Sequence, residues 1–164
     1  MGSPGKRFSI VHGNSLQTVT CDPPFRVLVV EDGKGVAEVI AMFFEMEGME
    51  TAVAFDGVEA VDTAEAFQPH LICMDLTMPR MDGIEAARRI REKSTNVVIV
   101  ALCGWDDKDS RRRTAEAGFN EHLTKPLTPD VLRKMIRQYL PKQVTSPVVC
   151  PDSLIGYDPS AIVA

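Results

Sequence analysis

Four short apolar runs and a fifth, mixed one, each followed by a stretch of helical periodicity, constrain the fold of this chain more than any other feature. The runs cover about 26–30, 51–55, 70–74, 97–102 and 119–123. Short runs of this kind, alternating with helix patterns, read as parallel strands joined by crossover helices. The run at 97–102 is apolar throughout, as expected of a strand covered on both faces. The first helix carries Val36, Val39, Ile40, Phe43 and Phe44 at helical spacing and ends near Gly48. The second carries Val58, Val61, Ala64 and Phe67 and stops before Pro69. The third starts after Asp82-Gly83 and turns Ile84, Ala87 and Ile90 inward. The fourth covers about 107–117 and ends at Gly118, and the fifth follows the cap Thr128 with Val131, Leu132, Met135 and Ile136. Five such units predict an α/β fold, a single doubly wound parallel sheet in the order 2-1-3-4-5.

The ends of the runs carry the chemistry. Glu31 and Asp32 follow the first, Asp75 the third, and Lys125 the fifth. Ligand sites in such sheets lie beyond the carboxyl ends of the strands, so all four groups are expected at one edge. Three acids there repel one another unless cations compensate. Mg²⁺, a hard cation that takes oxygen ligands and keeps several waters, suits that role, with Mn²⁺ as a substitute. A carboxylate so screened can act as a nucleophile toward phosphorus.

The 164 residues suit one domain. A net charge of −5 argues against a general nucleic-acid footprint, and no apolar stretch is long enough to span a bilayer. Cysteines at 21, 73, 103 and 150 form no CxxC pair, which fits reduced thiols in the cytoplasm. Residues 1–24, closed by Pro23-Pro24, show no sustained period and are expected to form a flexible leader. Residues 141–164 carry four prolines, lack helical periodicity and are expected to form a flexible tail, leaving 25–140 as the domain.

Residues 25–140 resemble the receiver domain of bacterial two-component response regulators. The resemblance rests on Val27-Leu28-Val29-Val30-Glu31-Asp32, on Met74-Asp75-Leu76-Thr77-Met78-Pro79-Arg80-Met81-Asp82-Gly83, and on Leu123-Thr124-Lys125-Pro126, in that order. The stretch from Arg111-Arg112-Arg113 through Ala117-Gly118-Phe119 to His122-Leu123 is most similar to receivers of hybrid sensor kinases. The resemblance implies a flavodoxin-like fold and a set of roles. Asp75 accepts a phosphoryl group from a phosphohistidine on a histidine kinase or histidine phosphotransfer protein. Asp32 and Glu31 hold Mg²⁺ together with Asp75 and the main-chain carbonyl of Thr77. Lys125, Gly104 and Leu76 contact the phosphoryl oxygens, and the Lys125-Pro126 bond is cis. The chemistry is limited to self-phosphorylation and autodephosphorylation, and two copies can pair through the fourth helix, fifth strand and fifth helix.

Two switch positions depart from the family. Cys103 stands where Thr or Ser is usual, and a thiol is a poor hydrogen-bond donor. His122 stands where an aromatic residue is usual. Trp105, two residues beyond Cys103, lies on the family's path for hydrolytic water and is expected to shield the acyl phosphate. The departures keep open a pseudo-receiver that acts as a phosphorylation-independent interaction module. A phosphatase with an aspartyl nucleophile is disfavoured because Thr77 occupies the position of its second Asp. A flavin module is disfavoured because acids stand where a phosphate cradle wants hydroxyls or glycine amides.

Overall fold

The computed structural model describes the backbone of residues 7–12, 15–20, 24–105 and 107–139, and the side chains of 24–105 and 107–139. The expected tail at 141–164 lies outside these residues. In chain order the elements are β1 (Arg7–His12), β2 (Ser15–Thr20), β3 (Arg26–Val30), α1 (Lys34–Met46), β4 (Glu50–Ala54), α2 (Gly57–Phe67), β5 (Leu71–Asp75), α3 (Gly83–Lys93), β6 (Val98–Cys103), α4 (Lys108–Glu116), β7 (Glu121–Thr124) and α5 (Pro129–Tyr139).

The five later strands form one parallel sheet, ordered β4-β3-β5-β6-β7. Counted over these strands alone, that is the expected 2-1-3-4-5. The order reverses between β3 and β5, and the crevice beyond their carboxyl ends is where Asp32 and Asp75 lie. Strand alternation divides the core into two layers. Val27, Val29, Leu71, Cys73, Val100 and Leu102 pack against α1 and α5. Leu28, Val30, Ile72, Met74 and Ile99 pack against α2 and α3. Every residue of β5 is buried, and each large apolar side chain so removed from water contributes about 1.5–3 kcal/mol. That burial holds Asp75 at the rim of a closely packed strand. Burial also pushes the Cys73 thiol up to about 12, so it stays protonated in the core.

Helix starts follow the capping chemistry of the sequence. Asp56, Asp82 and Asp107 accept backbone N–H groups at the starts of α2, α3 and α4. Thr128 Oγ1 accepts from Val131 N–H at 3.4 Å ahead of α5. Gly118 takes a φ of +89° just past α4.

Three expectations need correction. Residues 7–12 and 15–20 pair as antiparallel strands, with Phe8 opposite Val19 and Val11 opposite Leu16. The sequence places Gly13-Asn14 between the two strands, a dipeptide suited to tight hairpins. The fifth core strand begins at Glu121, two residues later than expected. The Phe119 amide is taken by the Thr114 carbonyl at the end of α4, and the Asn120 side chain accepts from Ile99 N–H. Val36 and Val39 do not face the core. The buried stripe of α1 is Ala37, Ile40, Ala41 and Phe44, at i, i+3, i+4 and i+7, and Val39 is 67% exposed.

Candidate phosphoryl-acceptor and metal site

The short β3–α1 junction sets the first two acids. Glu31 N–H donates to the Ala54 carbonyl, extending the β3–β4 ladder one residue past β3. Glu31 is 4% exposed, whereas Asp32 is exposed at the mouth of the crevice. Asp75 ends β5 and is 8% exposed. One carboxylate oxygen from each of Glu31, Asp32 and Asp75 lies within 4.8 Å of the others.

Lys125 enters from the far edge of the sheet. Its N–H donates to the Cys103 carbonyl at 2.8 Å, and its peptide bond to Pro126 is cis. The ammonium donates to Glu31 Oε2 at 2.6 Å and to Asp75 Oδ2 at 3.1 Å. Burial works against the Lys125 charge, but these two hydrogen bonds and the two negative charges outweigh it and raise its pKa above the usual lysine value. Lys125 therefore stays charged, and one cation faces three acids. The charge deficit and the all-oxygen donor set fit a hard divalent ion.

The loop after β5 shapes the other side of Asp75. Thr77 N–H donates to Asp75 Oδ1 at 3.2 Å, so each carboxylate oxygen has one donor. Leu76, expected to offer its amide to phosphate, instead donates that N–H to the Leu102 carbonyl at 3.3 Å. The sheet ladder claims it, and the amide facing the carboxylate is that of Thr77. Gly83 is required by close approach, since a Cβ there would lie 2.2 Å from the Asp75 carbonyl oxygen. Its N–H donates to the Leu76 carbonyl, seating the start of α3 against the end of β5.

The β6–α4 side is built differently. Cys103 is buried, and Gly104 is exposed, with nothing within 4 Å of where a Cβ would stand. Trp105 is 81% exposed and lines a groove of about 330 Å³ with Leu76, Thr77, Cys103 and Arg113. His122 points under α4, with its Nδ1 3.4 Å from the Thr114 hydroxyl. That hydroxyl also lies 3.1 Å from the Ser110 carbonyl and 3.0 Å from the Arg111 carbonyl. His122 Nε2 is buried without a partner among the described residues.

The response regulator receiver domain family matches residues 27–137, the whole span from β3 into α5. The chain belongs to this family. Among curated receiver-containing proteins, the response regulator MprA of a Mycobacterium strain is 34% identical over 130 residues, 79% of this chain. The chain spans 56% of that regulator's length. Sporulation initiation phosphotransferase F of Bacillus subtilis is 29% identical over 116 residues, covering 71% of this chain and 94% of its own. Among solved structures, the receiver domain of the yeast regulator Ssk1, crystallised with the histidine phosphotransfer protein Ypd1, is 32% identical with a TM-score of 0.67. That match covers 71% of this chain and 89% of Ssk1's. The receiver of the Pseudomonas aeruginosa sensor kinase PA1611, which holds a magnesium ion in its active-site cleft, is 30% identical with a TM-score of 0.64. It covers 71% of this chain and 97% of its own. The chain is thus a two-component receiver domain, and among the described residues no helix is long and apolar enough to cross a membrane.

Proposed function

We propose that this receiver accepts a phosphoryl group on Asp75 from a phosphohistidine of a histidine kinase or phosphotransfer protein. The observation that carries the proposal is the convergence of Glu31, Asp32 and Asp75 within 4.8 Å, with Lys125 bonded to two of them. An oxygen of the Asp75 carboxylate attacks phosphorus, the bond to the donor imidazole nitrogen breaks, and that nitrogen leaves with the electron pair. The product is an acyl phosphate on Asp75. Lys125 keeps its proton and offers its ammonium to the oxygens that gain charge. The amide of Thr77 is a main-chain donor already facing the Asp75 carboxylate, and that of Gly104 would join it at the phosphoryl oxygens. Glu31, Asp32, Asp75 and the Thr77 carbonyl would hold Mg²⁺, or Mn²⁺ in its place. Such an ion screens the carboxylates and neutralises phosphoryl charge.

The exposed stripe Val39, Met42 and Met46 on α1 offers an apolar surface for a helical phosphate donor, and its first turn opens toward the acidic crevice. The Ssk1 receiver's co-crystallisation with a histidine phosphotransfer protein supports a donor of that kind. The protein acts in the cytoplasm as a signalling receiver with no activity beyond its own phosphorylation and dephosphorylation. Pairing of two copies through α4, β7 and α5 is expected to follow phosphorylation, read by sedimentation with and without acetyl phosphate.

The deciding experiment is intact mass after incubation with Mg²⁺ and acetyl phosphate. The wild type should gain one phosphate and Asp75→Asn none. A wild type that gains nothing would favour the phosphorylation-independent interaction module suggested by Cys103 and His122.

A further inference from the structure

Arg80 lies in the loop between Asp75 and α3 with a φ of +65°. This left-handed region suits glycine or asparagine and costs other L residues about 1 kcal/mol. Its guanidinium crosses to the carboxylate of Asp56, whose side chain is 9% exposed. Asp56 is already the cap of α2. Its Oδ1 accepts from Val58 N–H at 2.9 Å and Glu59 N–H at 3.0 Å, which leaves Oδ2 for Arg80. The Glu59 N–H bond, with help from Arg80, holds this carboxyl below the usual aspartate range despite its burial. A second strap runs alongside. Gly57 N–H donates to the Met81 carbonyl at 3.1 Å, and a Cβ on Gly57 would lie 2.5 Å from that oxygen. Residues 80 and 81 are thus tied to residues 56 and 57.

The other end of the same loop is tied as well. Leu76 is bonded to Leu102 through its N–H and to Gly83 through its carbonyl. Between the two anchors only Thr77, Met78 and Pro79 span the gap, and Thr77 is the residue whose amide faces Asp75. The Asp56–Arg80 pair and the Gly57–Met81 bond together hold the far end of the short span that carries the Thr77 main chain.

We propose that the Asp56–Arg80 ion pair is a positioning clamp for the Thr77 main chain, so that Mg²⁺ affinity depends on two residues that touch neither the ion nor the phosphoryl group. The proposal rests on the Mg²⁺ assignment of the acidic crevice. Residues that orient metal-binding groups from behind commonly change affinity by about ten-fold or more.

The test is calorimetric titration of the full chain with MgCl₂, without phosphate donor, together with the metal-free melting midpoint. Arg80→Ala and Asp56→Asn should each weaken Mg²⁺ binding about ten-fold. Asn at 56 keeps an oxygen for the α2 cap, so this variant removes the charge and not the cap. The double variant should be no weaker than either single one, as expected when two residues act as a unit. Arg80→Lys should stay within about two-fold of wild type, because a cation still reaches Asp56. Arg80→Gly fits the backbone at this φ without strain and should lose affinity like Arg80→Ala, which guards against a folding failure of the latter. A lower melting midpoint with unchanged Mg²⁺ affinity in Arg80→Ala or Arg80→Gly would overturn the clamp alone. Losses that multiply in the double variant would overturn it too. A wild type that binds no Mg²⁺ would remove the crevice assignment and the clamp together.

Discussion

The two halves of the carboxyl-end surface are built on different principles. Around Asp75 the two buried acids share a cation: Lys125 joins Glu31 to Asp75, and the Thr77 amide takes the remaining Asp75 oxygen. On the β6, α4 and β7 side the charged residues of α4 are exposed, and the two switch positions carry weaker hydrogen-bonding groups. Cys103 offers a thiol in place of a hydroxyl, and His122 buries a nitrogen with no partner among the described residues. Trp105 stands almost fully in solvent. On the proposed function, phosphoryl chemistry draws on the first half and propagation of its signal on the second. The contrast therefore separates whether the protein is phosphorylated from how strongly it responds.

The largest expected effect tests the crowded half. Lys125→Met leaves Glu31 and Asp75 close together without their cation, and should destabilise the metal-free protein by about 2 kcal/mol. Saturating Mg²⁺ should recover most of that loss, because the ion supplies the missing positive charge. Chemical denaturation with and without Mg²⁺ reads both. A variant as stable as wild type without metal would show that the acids do not repel there.

Trp105→Ala tests whether the second half reaches back into the chemistry. The indole borders the groove beside Thr77 and Cys103, and removing it should speed loss of phosphate from Asp75 several-fold, about 1 kcal/mol in barrier. An unchanged lifetime after removal of the donor would leave Trp105 as a partner-facing side chain.

Cys103→Thr tests the separation directly. Its hydroxyl can donate a hydrogen bond where the thiol donates poorly. Phosphorylation by acetyl phosphate should proceed within about two-fold of wild type, since Lys125 and the acids are untouched. Phosphorylation-induced amide shifts on α4 and β7 should grow. A large loss of phosphorylation would mean that the two halves are not separable.

The smallest effect concerns His122. His122→Leu removes a buried ring nitrogen that lacks a partner among the described residues and should raise stability by up to about 1 kcal/mol. Thermal melting reads this, and a clear loss of stability would show that the Thr114 contact outweighs the orphaned nitrogen.

Much of the molecule was legible before any coordinates. The apolar runs of β3, β5 and β6 announced the parallel sheet because strands buried on both faces cannot tolerate polar interruption. The charges at their ends announced the site because a parallel sheet sends all carboxyl ends to one edge. Asp56 and Asp82 stand before helices and act as caps through contacts two or three residues away, which local sequence encodes. Less legible was the facing of α1, since Val36 and Val39 share helical spacing with the buried stripe and differ from it only by angle. The pairing of 7–12 with 15–20 was signalled by Gly13-Asn14, but these short strands carry no strong apolar period.

The order of residues along the chain settled the fold class and the charge content of the crevice, because both follow from local periodicity and from which strand each acid terminates. Three-dimensional packing settled the rest: the Leu76 amide lost to Leu102, His122 turned under α4, and Arg80 reaching Asp56. Each of these joins elements distant along the chain, or depends on a rotamer chosen by the space its neighbours leave, and no pattern within one segment specifies such a choice.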